Sequence, residues 1–392
     1  MITRRVFVAA TVALAAMTGL PGIAQAQDVV KVGLILPMTG PFASTGRQVE
    51  AGVRAYMALN GNEVAGKTIE VVLRDDAGTA DQTRRIAQEL VVNDGVSMLM
   101  GFGLTPLAMS VAPVLNQAKV PAIITSATTS AIMAQSEYFV RTSMAGPQSA
   151  VPVATWAVEN DLKRVVTLVT DYGPGHDIEK GFTDQFLEEG GEIVEAVRVP
   201  LQNPDFAPFL QRVLDAKPDA IFVFVPSGVG SLFMKQFADR GLADAGIKLI
   251  ATGDVTDDDL LNQIGEPSVG VITGHFYSAN HDSPENKAYV EEVRKSNNNM
   301  RPNFMSVGGY DAMHLAYAAL EKTSGETDGT ALVEAMKGME WTSPRGPISI
   351  DAQTRDIVQD IYIREVKEVD GELYNVEFTK YEKIHDPFAA SN

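Results

Sequence analysis

Short apolar runs recur along most of the chain, and their composition predicts β-strands. Each run holds six or seven residues rich in Val, Ile and Leu. Most runs are continuously apolar rather than alternating, which is typical of parallel strands buried on both faces. In chain order they are KVGLILP, IEVVLRD, VSMLMGF, VPAIIT, VVTLVTD, AIFVFV, IKLIAT and GVITGHF.

The segments between these runs carry apolar residues three and four positions apart, which predicts amphipathic helices. Strands alternating with helices indicate an α/β fold built on doubly wound, mostly parallel sheets. The pattern falls into two groups with a break near residue 146, and so predicts two lobes. The clearest helical segments cover residues 81–94, 106–118, 177–191 and 230–242.

The last hundred residues follow a different pattern. Helices are predicted around residues 284–297 and 308–323. After them, residues 346–351 and 356–378 alternate apolar and polar positions around an Asp-Gly pair, which predicts antiparallel strands joined by a tight turn.

Length and composition narrow the class of protein. At 392 residues the chain is long enough for two domains. Its formal charge of −18 repels phosphate backbones and argues against a nucleic-acid partner. The absence of cysteine excludes disulfides, thiolate zinc sites and cysteine nucleophiles.

Residues 1–26 have the pattern of a cleavable signal peptide. Arg4 and Arg5 precede an apolar run, and Ala-Gln-Ala ends at Ala26 with small residues where a signal peptidase cuts. No other segment is a candidate for crossing a membrane. We therefore expect export to the periplasm, and the paired arginines leave the choice between general and twin-arginine export open.

The loops that follow the strands are candidates for ligand binding, because ligands of open parallel sheets bind beyond the carboxyl ends of the strands. These loops are rich in Gly, Ser and Thr and contain no Lys. Hydroxyl and backbone N–H groups at helix starts favour an anion such as a carboxylate. The loops cover residues 37–46, 101–106, 125–130, 171–175, 226–230 and 252–259.

The sequence lacks the motifs that nucleotide binding, catalysis and metal binding require. GFGLTP has Pro106 where a dinucleotide fingerprint needs glycine, and no phosphate-binding P-loop is present. None of the five histidines has metalloprotease spacing, and no serine nucleophile elbow occurs. The acidic residues Asp257–Asp259 are expected to lie in the first turn of a helix capped by Thr256, where the helix dipole favours negative charge. We predict a binding protein without catalytic residues, cofactor or metal.

Four motifs resemble, in order and spacing, those of the periplasmic leucine/isoleucine/valine-binding proteins, which are substrate-binding subunits of ABC importers. The motifs are KVGLILPMTGPFASTG, TSATTS, DYGPG and GGYDA. The resemblance implies a two-lobed type I periplasmic binding protein that delivers a small carboxylate to a membrane permease. It implies three crossovers, with residues 28–146 plus 277–354 in lobe 1 and 147–276 plus 355–392 in lobe 2. A soluble sensor of the same fold acting on a membrane receptor is the alternative.

The resemblance also implies site residues. Lobe 1 would hold the ligand carboxylate and lobe 2 would complete the site. Asp254 corresponds to the acidic residue that holds an amino acid's ammonium group. The expected ligand-binding residues are Thr105, Ser126, Ala127, Thr128, Tyr172, Ser227 and Asp254, with Phe42 and Phe102 as apolar walls and Tyr310 from GGYDA.

Two departures from the leucine-type pattern enlarge the expected pocket. Thr45 stands where that family has tryptophan, and Pro226 and Ser227 replace a tyrosine. Some relatives bind aromatic carboxylates. The first expectation is therefore a hydroxylated aromatic carboxylate, whose phenol would donate to Asp254, and the second is a hydrophobic or branched-chain amino acid.

Overall fold

The computed structural model describes residues 28–389, so the predicted signal peptide lies outside the described residues. The fold consists of two lobes, each with a sheet covered by helices. The first sheet has the order β2-β3-β1-β4-β5-β6, and its strands are parallel except for the β2–β3 pair. Its strands are β1 (Val29–Leu36), β2 (Glu63–Val64), β3 (Lys67–Asp75), β4 (Met98–Gly101), β5 (Ala122–Ile124) and β6 (Phe139–Arg141).

The second sheet runs in the order β12-β13-β14-β11-β10-β9-β7-β8, with β15 paired to β14. Strands β7 to β11 are parallel to their neighbours in that group, whereas β12 to β15 pair antiparallel. The strands are β7 (Arg164–Thr170), β8 (Glu192–Val199), β9 (Ala220–Phe224), β10 (Lys248–Thr252), β11 (Ile272–His275), β12 (Glu340–Ser343), β13 (Gly346–Ile350), β14 (Ile357–Val369) and β15 (Glu372–Ile384).

The helices bury apolar stripes against these sheets, which confirms the predicted α/β class. They are α1 (Ala43–Asn60), α2 (Ala80–Glu89), α3 (Thr105–Ala118), α4 (Gly146–Glu159), α5 (Gly173–Glu188), α6 (Ala207–Ala216), α7 (Ser227–Asp239), α8 (Leu261–Ile264), α9 (Pro284–Ser296), α10 (Phe304–Lys322) and α11 (Gly329–Met336).

The chain passes between the lobes after β6, after β11 and before β14. Strands β12 and β13 belong to the second sheet by hydrogen bonding, yet Ile348 and Ile350 of β13 pack into the first lobe's core. The residue bounds predicted for the two lobes stay a proposal.

Buried arginines connect the passing segments. Arg141 Nη2 donates to Asp356 Oδ2 at 2.9 Å, which ties the first passage to the third. Arg345 Nη1 donates to the Ser143 carbonyl oxygen of the first passage at 3.3 Å, and its Nε donates to Asp311 Oδ2 at 2.9 Å; the side chains of Arg345 and Asp311 are fully buried. Removing one partner of such a pair leaves a buried charge uncompensated, which typically costs about 3–5 kcal/mol.

One local prediction from the sequence is wrong. Thr256 ends a short 3-10 turn rather than capping a helix, and its hydroxyl has no hydrogen-bond partner among the described residues. Asp257 and Asp258 are buried: Asp257 accepts hydrogen bonds from Asn303, and Asp258 accepts one from Asn375. Side-chain amides and the nearby charge of Arg364, rather than a helix dipole, therefore compensate these acids.

Within residues 28–389, no helix combines the length and the apolar composition that a membrane crossing requires.

Candidate functional site

A cavity lies between the two lobes, where the carboxyl ends of the strands of both sheets face each other. This is where ligands of open parallel sheets bind. Lobe 1 supplies its residues from the segments after β1, β4 and β5 and from the start of α10. Lobe 2 supplies its residues from the end of β9 and from the segments after β7, β9 and β10. The lining residues are Phe42, Thr45, Gly103, Leu104, Thr105, Ser126, Ala127, Thr128, Tyr172, Pro174, Phe224, Pro226, Ser227, Gly228, Asp254 and Met305.

The lobe 1 wall presents a group of hydroxyls. Thr105 is the first residue of α3, and its Oγ1 lies 2.8 Å from Thr129 Oγ1. Ser126 Oγ lies 3.4 Å from Thr125 Oγ1 in the loop after β5. Rotatable hydroxyls can turn their hydrogens toward an anion, so this wall suits a carboxylate. Thr129, which supports Thr105 from behind, is absent from the sequence prediction because its role depends on packing between two loops.

An aromatic pair forms part of the lobe 2 wall. Tyr172 precedes α5 in extended conformation, and its ring stacks on Phe224 with centroids 6.2 Å apart and planes 14° apart. Phe224 ends β9, and it is not among the site residues predicted from the sequence. It belongs to an apolar run, and the sequence does not show which way its side chain points. Flat apolar rings of this kind are suited to packing against another ring.

Asp254 lies in the 3-10 turn after β10 and is 6% exposed. Its Oδ2 accepts a hydrogen bond from the Thr252 hydroxyl at 3.0 Å. Burial raises the pKa of Asp254 to about 7, although the Thr252 hydroxyl and the charge of Arg364 act to lower it. Burial, and next the charge of Asp254, also raise the pKa of Tyr172. The carboxyl group of Asp254 can therefore be either neutral or charged near pH 7.

Ser227 begins α7 and, like Asp254, lines the cavity. The residue is 8% exposed, and its hydroxyl makes no hydrogen bond within the described residues. The preceding Pro226 and the following Gly228 also line the cavity. A buried hydroxyl without a partner is uncommon in folded proteins and points to a missing partner.

Two of the ten predicted site residues do not line the cavity. Phe102 has a left-handed φ of 71° and is fully buried in the core of lobe 1. Tyr310 lies on α10, where its ring packs edge-on against Tyr56 and Tyr289 at 5.1 and 4.9 Å. The other eight predicted residues surround one cavity; their contact with a ligand stays a prediction.

The positions of the two departures border the cavity as well. Thr45 and Pro226 line it, and their side chains are smaller than the tryptophan and the tyrosine of the leucine-type pattern. Met305 enters from α10, whose start is fixed by Asn303: its side-chain oxygen accepts hydrogen bonds from the backbone N–H groups of Met305 and Ser306. Methionine adapts to irregular apolar shapes and contacts aromatic rings favourably.

In the part of the chain that the structure describes, no group of three or more acidic or histidine side chains is arranged to hold a metal ion. The polar atoms that line the cavity are hydroxyls and the single carboxyl group of Asp254. This arrangement suits non-covalent binding of a small carboxylate by hydrogen bonds and apolar contact.

Comparisons with known proteins place these features in context. Residues 29–372 match the family model described as periplasmic binding protein. A Leu/Ile/Val-binding protein homolog 6 of Brucella melitensis is 49% identical over 92% of this chain and 93% of its own length.

Two solved structures are similar over almost their whole length. A solute-binding protein of an ABC transporter from Rhodopseudomonas palustris BisB5, in complex with 3,4-dihydroxybenzoic acid, is 57% identical with a TM-score of 0.90. A second from R. palustris, in complex with 4-hydroxybenzoate, is 43% identical with a TM-score of 0.89. Each alignment covers 92% of this chain and 99% of the other.

Proposed function

This chain belongs to the periplasmic binding protein family, and we propose that it captures a hydroxylated aromatic carboxylate between its lobes for import. As a solute-binding protein of the branched-chain amino-acid transport family it is not an enzyme, and its partners are a small-molecule ligand and membrane permease subunits. The family works in the periplasm, whereas cleavage after Ala26 stays a prediction.

The aromatic lobe 2 wall beside a buried acid is the observation that carries the proposal. The Tyr172–Phe224 pair offers ring faces, and Asp254 offers a hydrogen-bond partner for a phenol. The hydroxyls of Thr105, Ser126 and Thr128 on lobe 1 would bind the carboxylate. The ligands of the two R. palustris relatives support this choice, since both are hydroxybenzoates.

Closure would be a hinge motion. A ligand that contacts both lobes stabilises the closed arrangement and shifts an existing equilibrium toward it. The permease would then meet the closed, loaded protein.

A hydrophobic amino acid is the second candidate, and Asp254 is the observation that favours it. An ionised Asp254 would hold an α-ammonium group, and the B. melitensis relative carries the name of a Leu/Ile/Val-binding protein homolog. The missing tryptophan and tyrosine side chains argue against this candidate, because a branched-chain side chain would leave part of the cavity empty.

A thermal-shift comparison tests the proposal. The purified protein is melted with 4-hydroxybenzoate, 3,4-dihydroxybenzoate, leucine and valine in parallel. A ligand that binds only the folded state adds about 2.7 kcal/mol of stability at a hundredfold excess over its Kd. We expect the hydroxybenzoates to raise the melting temperature and the amino acids to leave it unchanged. A shift with leucine or valine alone would refute the aromatic proposal.

A further inference from the structure

The Ser227 hydroxyl is a polar group on the lobe 2 wall for which the described residues provide no hydrogen-bond partner. The residue is more than nine-tenths buried, lines the cavity, and its Oγ has no hydrogen-bond partner within residues 28–389. Burying a hydroxyl without a partner costs free energy. A partner supplied from the cavity would remove that cost.

Ser227 and Asp254 follow two neighbouring parallel strands. Strands β9 and β10 are paired, with Val223 opposite Ala251 near their carboxyl ends. The first turn of α7 also packs directly on the turn that carries Asp254: a Cβ atom on Gly230 would lie 3.0 Å from the Asp254 carbonyl oxygen. The two residues are therefore held on neighbouring parts of the lobe 2 wall, and both line the cavity.

Their surroundings on lobe 2 are mainly apolar. Phe224, Pro174, Pro226 and Gly228 offer no side-chain hydrogen-bonding group, and the Tyr172 hydroxyl is the other polar side-chain atom that lobe 2 contributes to the lining. Polar substituents of a ring that reach this wall are therefore directed to a small number of partners. The acceptor of Asp254 and the hydroxyl of Ser227 can bind two adjacent ring hydroxyls, whereas a single ring hydroxyl would leave one of these two protein groups without a partner.

We propose that Ser227 and Asp254 form a subsite for two adjacent hydroxyls of the ligand ring, so that Ser227 determines a preference for catechol-type acids over monophenols. The inference rests on the proposed function and specifies its substrate class. Asp254 accepts a hydrogen bond from one ring hydroxyl, and Ser227 exchanges a hydrogen bond with the other.

Calorimetric titration with two ligands and three proteins tests the subsite. The ligands are 3,4-dihydroxybenzoate and 4-hydroxybenzoate, which differ by one hydroxyl. The wild type should bind the dihydroxy acid about five- to tenfold more tightly, the range of one net hydrogen bond. Ser227→Ala should lose that preference by weakening the dihydroxy acid alone, with 4-hydroxybenzoate changed less than about twofold.

Ser126→Ala is the matched control, because it removes the same hydroxyl from the opposite wall. It should weaken both acids by the same factor and keep the preference. Unliganded melting temperatures establish that all three proteins are folded before the affinities are compared.

The outcomes separate this inference from the function beneath it. If the wild type binds neither acid, the proposed function fails. If it binds both acids but Ser227→Ala leaves their ratio unchanged, the subsite is refuted and the function stands. The second result would mean that the Ser227 hydroxyl meets only water.

Discussion

Asp254 is the residue whose protonation state distinguishes the two candidate ligand classes. In the free protein burial raises its pKa to about 7, so the group changes from neutral to anionic as the pH rises from 6 to 8. A benzoate stays anionic over this range, and an anionic Asp254 repels it, whereas a neutral Asp254 still accepts the phenol's hydrogen bond through its carbonyl oxygen. An ammonium group has the opposite requirement, because only the anionic carboxylate attracts it.

The affinity for 4-hydroxybenzoate should therefore fall as the pH rises through about 7, by several-fold between pH 6 and pH 8. Affinity for leucine, if Asp254 holds an ammonium, would rise over the same interval. Titrations at pH 6, 7 and 8 with wild type and Asp254→Asn measure the effect. Asp254→Asn should make the affinity nearly independent of pH. An unchanged pH dependence in this variant would remove Asp254 from the site.

Much of the residue-level site follows from strand ends, which the sequence marks clearly. Ser126 and Tyr172 directly follow apolar runs, Asp254 and Thr105 come two and three positions after theirs, and all four border the cavity. Phe102 ends such a run, but its left-handed backbone leaves its ring in the core. The direction of a side chain at a strand end depends on loop conformation, which composition does not specify.

At the scale of elements, the contact between α1 and α10 positions two parts of the cavity lining. Thr45 lies in the first turn of α1 and Met305 in the first turn of α10. The helices approach so closely that a Cβ atom on Gly52 would lie 1.8 Å from the Ser306 carbonyl oxygen. Glycine is needed here for space rather than for its backbone freedom.

Gly52→Ala should therefore lower the free energy of unfolding by about 2–3 kcal/mol, since the extra methyl group forces the backbones apart. Urea unfolding of the unliganded protein measures this change. Arg54→Ala, on the exposed side of the same helix, is the control and should change stability by less than about 0.5 kcal/mol. Equal stability of Gly52→Ala and wild type would show that the helices can separate freely.

The elements themselves were predictable where the pattern is long and apolar, and less so elsewhere. The eight predicted runs correspond to strands β1, β3, β4, β5, β7, β9, β10 and β11. Strands β2, β6, β8 and β12 were missed: β2, β6 and β12 have only two to four residues, and most residues of β8 are exposed or half-buried, three of them charged. Such segments become strands because neighbours pair with them, which a local pattern does not reveal.

At the scale of the whole molecule, the two lobes meet around the cavity at a few small residues. Ser44 Oγ on lobe 1 donates to Asp259 Oδ2 on lobe 2 at 3.4 Å. A Cβ atom on Gly228 would lie 3.2 Å from the Pro41 carbonyl oxygen and 3.3 Å from the Phe42 ring. Lobe 2 thus presents glycine where the loop after β1 of lobe 1 approaches, so a larger side chain there would hold the lobes apart.

Gly228→Gln should therefore separate closure from folding. Ligand affinity should fall at least tenfold, because the closed state that the ligand stabilises is obstructed. The free energy of unfolding without ligand should change by no more than about 0.5 kcal/mol, since the residue is exposed. Small-angle scattering should show contraction on adding 4-hydroxybenzoate to the wild type and none in the variant.

Ser231→Gln, an exposed position one turn further along α7, is the control and should retain both affinity and contraction. It adds the same amide side chain to the same helix at a residue that does not line the cavity. If Gly228→Gln bound ligand as tightly as Ser231→Gln and contracted equally, the contact between α7 and the first loop would play no part in closure. The Gln side chain would then be accommodated as the lobes close, and the closure motion would not require glycine at position 228.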